Sequence, residues 1–282
     1  MVYLYATLIT TIALFIRYID LFGPEFPIYL SPDGQRYMGM ANNIDQPRPF
    51  CHRFLLPEIF RTPRKWQIFT YSSLIALGPA LAYFIDGTIE QKLFGVALMV
   101  GLTGVFRINV LYPVLVDAPA MLLVVLMAAL IKHHNWVLAY SLLIFAAGIK
   151  ESTPIFIFLL AQNWWWALGI LVSVALNYQY RNKPKVESGI KVGLAAHKGY
   201  WFSASEMLLP WGMCLLVVFN MNWWVFAIIG VSYGQLLIAN DRARLYQWAF
   251  PAVINAVVPI IPVEWMIPVL LIHYFHPFQV KV

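Results

Sequence analysis

Apolar residues run in long blocks along this chain, and short polar stretches carrying proline, glycine or charge separate the blocks. The first, VYLYATLITTIALFIRYIDLF at positions 2–22, is long enough to cross a hydrocarbon layer, which takes about 20 helical residues. It is too long for a signal-peptide core and lacks a basic start or small-residue cleavage site, so it reads as a retained first span. Gly23, Pro24 and Pro27 end it. The polar stretch 23–66 then predicts short interfacial helices. Ser31 as cap and Pro32 as first helical residue open one through Asn42, and a second covers Phe54–Phe60.

Further spans are expected at Gln67–Ile85, opened by Trp66, and at Lys92–Arg107, where Gly95, Gly101 and Gly104 permit close helix contact. Two more follow at Val110–Ile131 and Trp136–Ile149. Pro154–Tyr180 is interrupted at 162–166 and reads either as one tilted span or as two short helices. After the polar loop 181–206, Met207–Phe219 and Trp223–Ala239 predict a hairpin turned at Asn220–Asn222. Gln247–Pro262 and Trp265–Tyr274 close the chain, shortened or kinked by Pro251, Pro259, Pro262 and Pro268. The fold class is therefore all-α: a polytopic transmembrane helix bundle of about eight to ten spans, several short or kinked, with interfacial helices after the first. One transmembrane domain covers 1–282.

Composition agrees with the pattern. Apolar residues make up 61% and charged residues 11%, against about a quarter charged in soluble domains, and the mean hydropathy is +0.70. The net charge of +6 suits anionic headgroups or a phosphate-bearing substrate, and without a basic run it argues against nucleic acid. Cys51 and Cys214 lie far apart, in neither a disulfide framework nor a metal-binding CxxC.

Alternating loops from the first span put Asp33, Arg107, Asp117, Lys150 and Glu151 on one side. If 154–180 is two helices, 181–206 and 241–244 join that side and the opposite face keeps little beyond Lys92 and Lys132; if it is one span, the two groups separate. The positive-inside bias points the polar face to the cytoplasm in the two-helix count only, and phosphate-binding arginines are placed by function rather than by that bias. Ionisable groups at membrane depth cost about 2.5–3.5 kcal/mol each on insertion scales, so several on one side point to a shared water-filled cavity.

Asp33, beside a glycine just after a span, is a candidate base or metal ligand, and equally a carboxylate starting a helix. Arg36, Arg48 and Arg53 have forked donors suited to phosphate, which also suit lipid headgroups. His52 accompanies them. Arg107, Lys150 and Glu151 interrupt or end apolar runs, where a solvated charge is unexpected, although Lys150 and Glu151 can simply pair. Asp117, near Pro119, either joins the site or starts a helix.

DGxxYxxMA from Asp33 to Ala41, PFxxRFLLP from Pro49 to Pro57, VDAPAMLL from Val116, KES at Lys150 and NDRARLYQWAFP from Asn240 follow one another over about 220 residues. In order and spacing they resemble the GT-C class of polytopic membrane glycosyltransferases. The resemblance implies a polyprenyl-phosphate-linked sugar as donor, an extracytoplasmic site in a multi-pass integral membrane protein, and membrane lipid as a neighbour. It implies Asp33 as the base. Arg36, Tyr37, His52, Arg53, Arg107, Asp117, Lys150, Glu151, Asp241 and Arg242 then form the substrate site, the basic ones holding the departing phosphate. The chain lacks the paired acidic DD or DE of many members and their large C-terminal soluble domain. No cofactor is required by the pattern, and a divalent cation is compatible with it. Two other readings fit the same pattern: a transporter or channel, for which no inverted repeat is visible, and a non-catalytic scaffold or assembly protein.

Overall fold

The structure, a computed structural model, describes residues 1–23, 27–48, 50–162, 167–184, 209–235 and 247–275. The described residues are helical, without a β-strand. Helix α1 (Val2–Phe22) has the expected bounds, and Gly23 caps it at φ 61°. By length and composition it can cross a membrane on its own, and among the described residues two bent helix pairs bring that number to at most three. Several other apolar helices run only 10–17 residues, short of the roughly 20 that a span needs.

Helix α4 (Pro63–Phe84) is the axis of the fold. It starts before the expected Gln67 because Thr62 accepts from the Lys65 amide and Pro63 fits the first helical position. On one flank it receives α1 at Gly78, where a Cβ would stand 2.5 Å from Thr10 Cγ2 and 2.9 Å from the Ala6 carbonyl. Thr10 Oγ1 donates across this contact to the Ile75 carbonyl at 3.0 Å. On the other flank lies α7 (Asp117–Lys132), running parallel to α4. At one end Trp66 Nε1 donates to Leu115 O and Thr70 Oγ1 to Pro113 O. At the other, Lys132 Nζ donates to Phe84 O and pairs with Asp86.

Two expected spans break instead of continuing. Lys92–Arg107 becomes α5 (Ile89–Gly101), a π turn at Thr103–Arg107 and α6 (Ile108–Leu111), bent by 69°. A Cβ at Gly101 would lie 2.5 Å from the His273 ring, and the Gly104 amide donates to Gln247 Oε1 at 2.6 Å. Those distant partners take the backbone out of its α-helical register. Val110–Ile131 is also discontinuous: Pro113 interrupts it, and residues 112–116 give the carbonyls of Pro113 and Leu115 to α4.

The connection 154–180 is two helices, α9 (Thr153–Ala161) and α10 (Ala167–Tyr178). After α8 (Trp136–Ile149) ends at Lys150, α9 leads away and α10 returns. Arg181–Pro184 therefore lies beside residues 45–48: the Arg48 amide donates to Pro184 O, Arg48 Nε to Lys183 O, and Lys183 pairs with Asp45. A 3₁₀ segment at Leu209–Asn220, broken at Gly212, and α11 (Trp223–Gly234) follow, but the expected hairpin is not a packed pair. Instead α11 packs chiefly on α9 and Gln247–Ala249 and the 3₁₀ segment on the closing helices, while residues 207–208 and 236–239 of the expected arms lie outside the described residues. The chain closes with α12 (Phe250–Val257) and α13 (Met266–Phe275), a bent pair at 117°. Residues 50–60, which include the short α3 (Leu55–Ile59), and α2 (Pro32–Ala41) cover the end where α4 begins; Met38 and Leu56 are buried there, while Phe54, Leu55 and Phe60 are half-buried.

Candidate functional site

Ser31 Oγ accepts from the Gly34 amide at 3.0 Å and Pro32 occupies the first turn, so α2 starts where its sequence requires. Glycine at 34 brings this turn against the 112–116 segment: a Cβ there would meet Val114 O at 3.0 Å. The close approach sets Asp33, half-buried in the first turn of α2, near the start of α7. Tyr37 follows one turn later on the same face. It is buried, stacked on Trp66 at 5.7 Å and edge-on to Phe50 at 5.8 Å.

Arg53 ties this helix to the middle of the chain. Its Nη1 donates to the Tyr37 hydroxyl at 2.7 Å, while Nε and Nη2 clamp the Glu151 carboxylate at 2.9 and 2.7 Å. Glu151 and Lys150 lie between α8 and α9 and face different partners. Lys150 Nζ reaches Asp117 Oδ1 at 2.5 Å, both side chains being 2% exposed, and lies 4.3 Å from the Trp248 ring centre. Ser173 of α10 donates to the Glu151 carbonyl at 2.9 Å. Gln247, beside Trp248, holds the π turn that ends in Arg107. Asp33, Tyr37, Arg53, Asp117, Lys150 and Glu151, set far apart in sequence, thus converge at one end of the bundle.

The electrostatics follow from burial and partners. Burial chiefly pushes the Tyr37 hydroxyl up to about 12; Arg53 works against this, while the charges of Asp33 and Asp117 reinforce it. For Glu151 burial acts upward, but the charge and hydrogen bonds of Arg53, with Lys150 behind, outweigh it and hold the carboxyl down at about 2. Burial lowers the His52 imidazole.

Arg36 and Arg107 differ from the paired cations. Arg36 Cζ lies 4.5 Å over the Phe50 ring, with Arg53 Cζ at 5.7 Å from the same ring. Arg107 is half-buried, and its Nε is a buried donor with no hydrogen-bond partner among the described residues. His52 Nε2, Trp248 Nε1, Ser152 Oγ and Thr153 Oγ1, together with the acceptor oxygens Asn109 Oδ1 and Asn177 Oδ1, are likewise buried without a partner among the described residues. All seven belong to the half of the bundle that contains Asp33. A buried polar atom left unsatisfied costs about 1–3 kcal/mol, so their concentration marks a region built to meet polar groups.

Asp241 and Arg242 lie outside the described residues. Trp248, Phe50 and Trp66 were not among the candidates from sequence; the QWAFP stretch was the signal for the first. Among the described residues no three His, Cys, Asp or Glu side chains converge as a metal cage. Comparison with protein-family models, with curated proteins and with solved structures yields no match for this chain.

Proposed function

We propose that the chain is a multi-pass membrane glycosyltransferase that moves a sugar from a polyprenyl-phosphate donor to a hydroxyl of a lipid, glycan or protein acceptor. The observation that carries this reading is the convergence of Asp33 and the Arg53–Glu151 and Lys150–Asp117 pairs with unsatisfied buried polar atoms at one end of an apolar bundle. Asp33 takes the acceptor proton as the new bond to the anomeric carbon forms and the bond from that carbon to the phosphate oxygen breaks. The departing phosphate needs cationic donors that are not already committed.

That requirement divides the basic residues. Arg53 commits three of its five N–H donors, one on each nitrogen, to Tyr37 and Glu151, and Lys150 is held between Asp117 and Trp248. These two form the frame that fixes α2, and with it Asp33. Arg36 and Arg107, with no hydrogen bond to the described protein, are the phosphate-holding pair. In the membrane, α1, the bent pairs and the shorter apolar helices together form the polytopic bundle. The resemblance supports an extracytoplasmic Asp33 end. Its excess of arginine, which α10 increases by returning there, serves phosphate rather than orientation.

The test is transfer from radiolabelled polyprenyl-phosphate sugars by the full chain in proteoliposomes. Labelled product that forms with the wild type and falls at least tenfold with Arg107→Gln supports the reading. Equal transfer by the variant removes Arg107 from it. A transporter is the second reading, favoured by a cavity at the opposite end of the bundle. It requires substrate to cross sealed vesicles without covalent change, which the same vesicles report.

A further inference from the structure

The end of the bundle remote from Asp33 holds a cavity of about 420 Å³, within the ~300–1,000 Å³ range of small-molecule sites. The C-terminal end of α4, the start of α5, the end of α9, the Asn220–Asn222 turn and α12 surround it. Its polar lining is five amides, Gln91, Gln162, Asn220, Asn222 and Asn255, with one carboxylate, Asp86, already paired with Lys132. The lining therefore presents hydrogen-bonding groups without a net charge.

Four of these amides have one half fixed by the backbone. Gln91 Oε1 accepts from the Thr88 amide at 2.9 Å, Asn222 Oδ1 from Val225 at 3.0 Å and Asn255 Oδ1 from Asp86 at 3.3 Å. Asn220 is reversed, with Nδ2 donating to Ala256 O at 2.8 Å. Each is thus oriented, and each leaves its other half for something else: three NH₂ donors and one carbonyl acceptor. Trp224 adds an indole to the wall, its ring 3.8 Å from that of Trp223. Oriented donors and an acceptor beside a flat aromatic match hydroxyl groups on a ring whose other face is C–H. An anion would meet Asp86, and a cation would find it already neutralised.

We infer that this cavity binds a neutral saccharide, either free or as the headgroup of a glycolipid, at a site separate from the Asp33 cluster. The proposal is independent of sugar transfer. Two substitutions remove a free donor while keeping the structural half: Asn222→Asp retains the acceptor for the Val225 amide, and Gln91→Glu retains the acceptor for the Thr88 amide.

The experiment uses the full chain in nanodiscs. Methyl β-glucoside is titrated by calorimetry with saturation-transfer NMR, and glucosyl-diacylglycerol is compared with phosphatidylcholine as nanodisc lipid by thermal shift. Saturable binding of the glycoside identifies a free saccharide. Stabilisation by the glycolipid alone identifies a headgroup. In either case each variant weakens the effect about tenfold, glucuronate competes poorly, and Asp33→Asn binds like the wild type. Failure of both probes, wild-type affinity in both donor variants, or loss of binding in Asp33→Asn overturns the proposal; the last result places the ligand in the other site. Should one variant lose its melting transition, the other decides.

Discussion

Lys150 and Glu151 are adjacent in the chain, yet the first turns to Asp117 and Trp248 and the second to Arg53. The Lys150–Asp117 pair is the more enclosed, so each member is held in the protein by the charge of the other. Removing one charge, as in Lys150→Met, is expected to cost about 3–5 kcal/mol. The double variant Lys150→Met/Asp117→Leu is expected to recover most of it, and chemical unfolding in detergent measures both. A double variant no more stable than Lys150→Met would show that the pair is not the source of the loss. Glu151 gives a pH signature. Although burial acts upward, the Arg53 guanidinium holds its carboxyl at about 2 in the folded state, below the ordinary 4.5. Its contribution is therefore complete above about 4.5 and lost as pH falls toward 2. Melting temperature is expected to drop more steeply over that window in the wild type than in Glu151→Gln, and identical slopes would contradict the assignment.

At the level of elements, the site depends on how α2 is started and how closely α1 meets α4. Ser31→Ala removes the cap of α2 and is expected to cost about 1 kcal/mol, loosening the helix that carries Asp33. Amide exchange at Gly34 and Gln35 reads this directly. Gly78→Val drives a side chain into Thr10 and the Ala6 carbonyl and is expected to cost about 1–3 kcal/mol, seen as a lower melting temperature with no change in the α2 amides.

Elements whose ends carry their own signals were legible from sequence. Gly23 closes α1, Ser31 and Pro32 open α2, and α8 runs from Trp136 to Ile149 as expected. The break after Gly101 was not, because His273 and Gln247, both more than 140 residues later, create it. The site shows the same division. Charges in apolar runs stand out singly, but nothing local tells Lys150 to choose Asp117 over Glu151. Trp248 was hidden among eleven tryptophans until its ring was placed beside Lys150.

On the scale of the whole molecule, the two ends differ in chemistry. One gathers ion pairs, arginines and unsatisfied buried polar atoms; the other has an amide-lined cavity whose one carboxylate, Asp86, is paired with Lys132. Orientation follows as a prediction: a cysteine replacing exposed Gln35, in a Cys51→Ser/Cys214→Ser background, is expected to react with an impermeant maleimide added outside intact cells. Reaction only after lysis would put the Asp33 end in the cytoplasm. Sugar transfer at this end, with Asp33 as the proposed base, is read from the single-turnover rate of transfer from a polyprenyl-phosphate sugar, measured in proteoliposomes for active wild type and for Asp33→Asn at equal folded protein. A fall on the order of 10²- to 10⁴-fold is expected, the contribution of a positioned general base. Equal rates in the two proteins would contradict it.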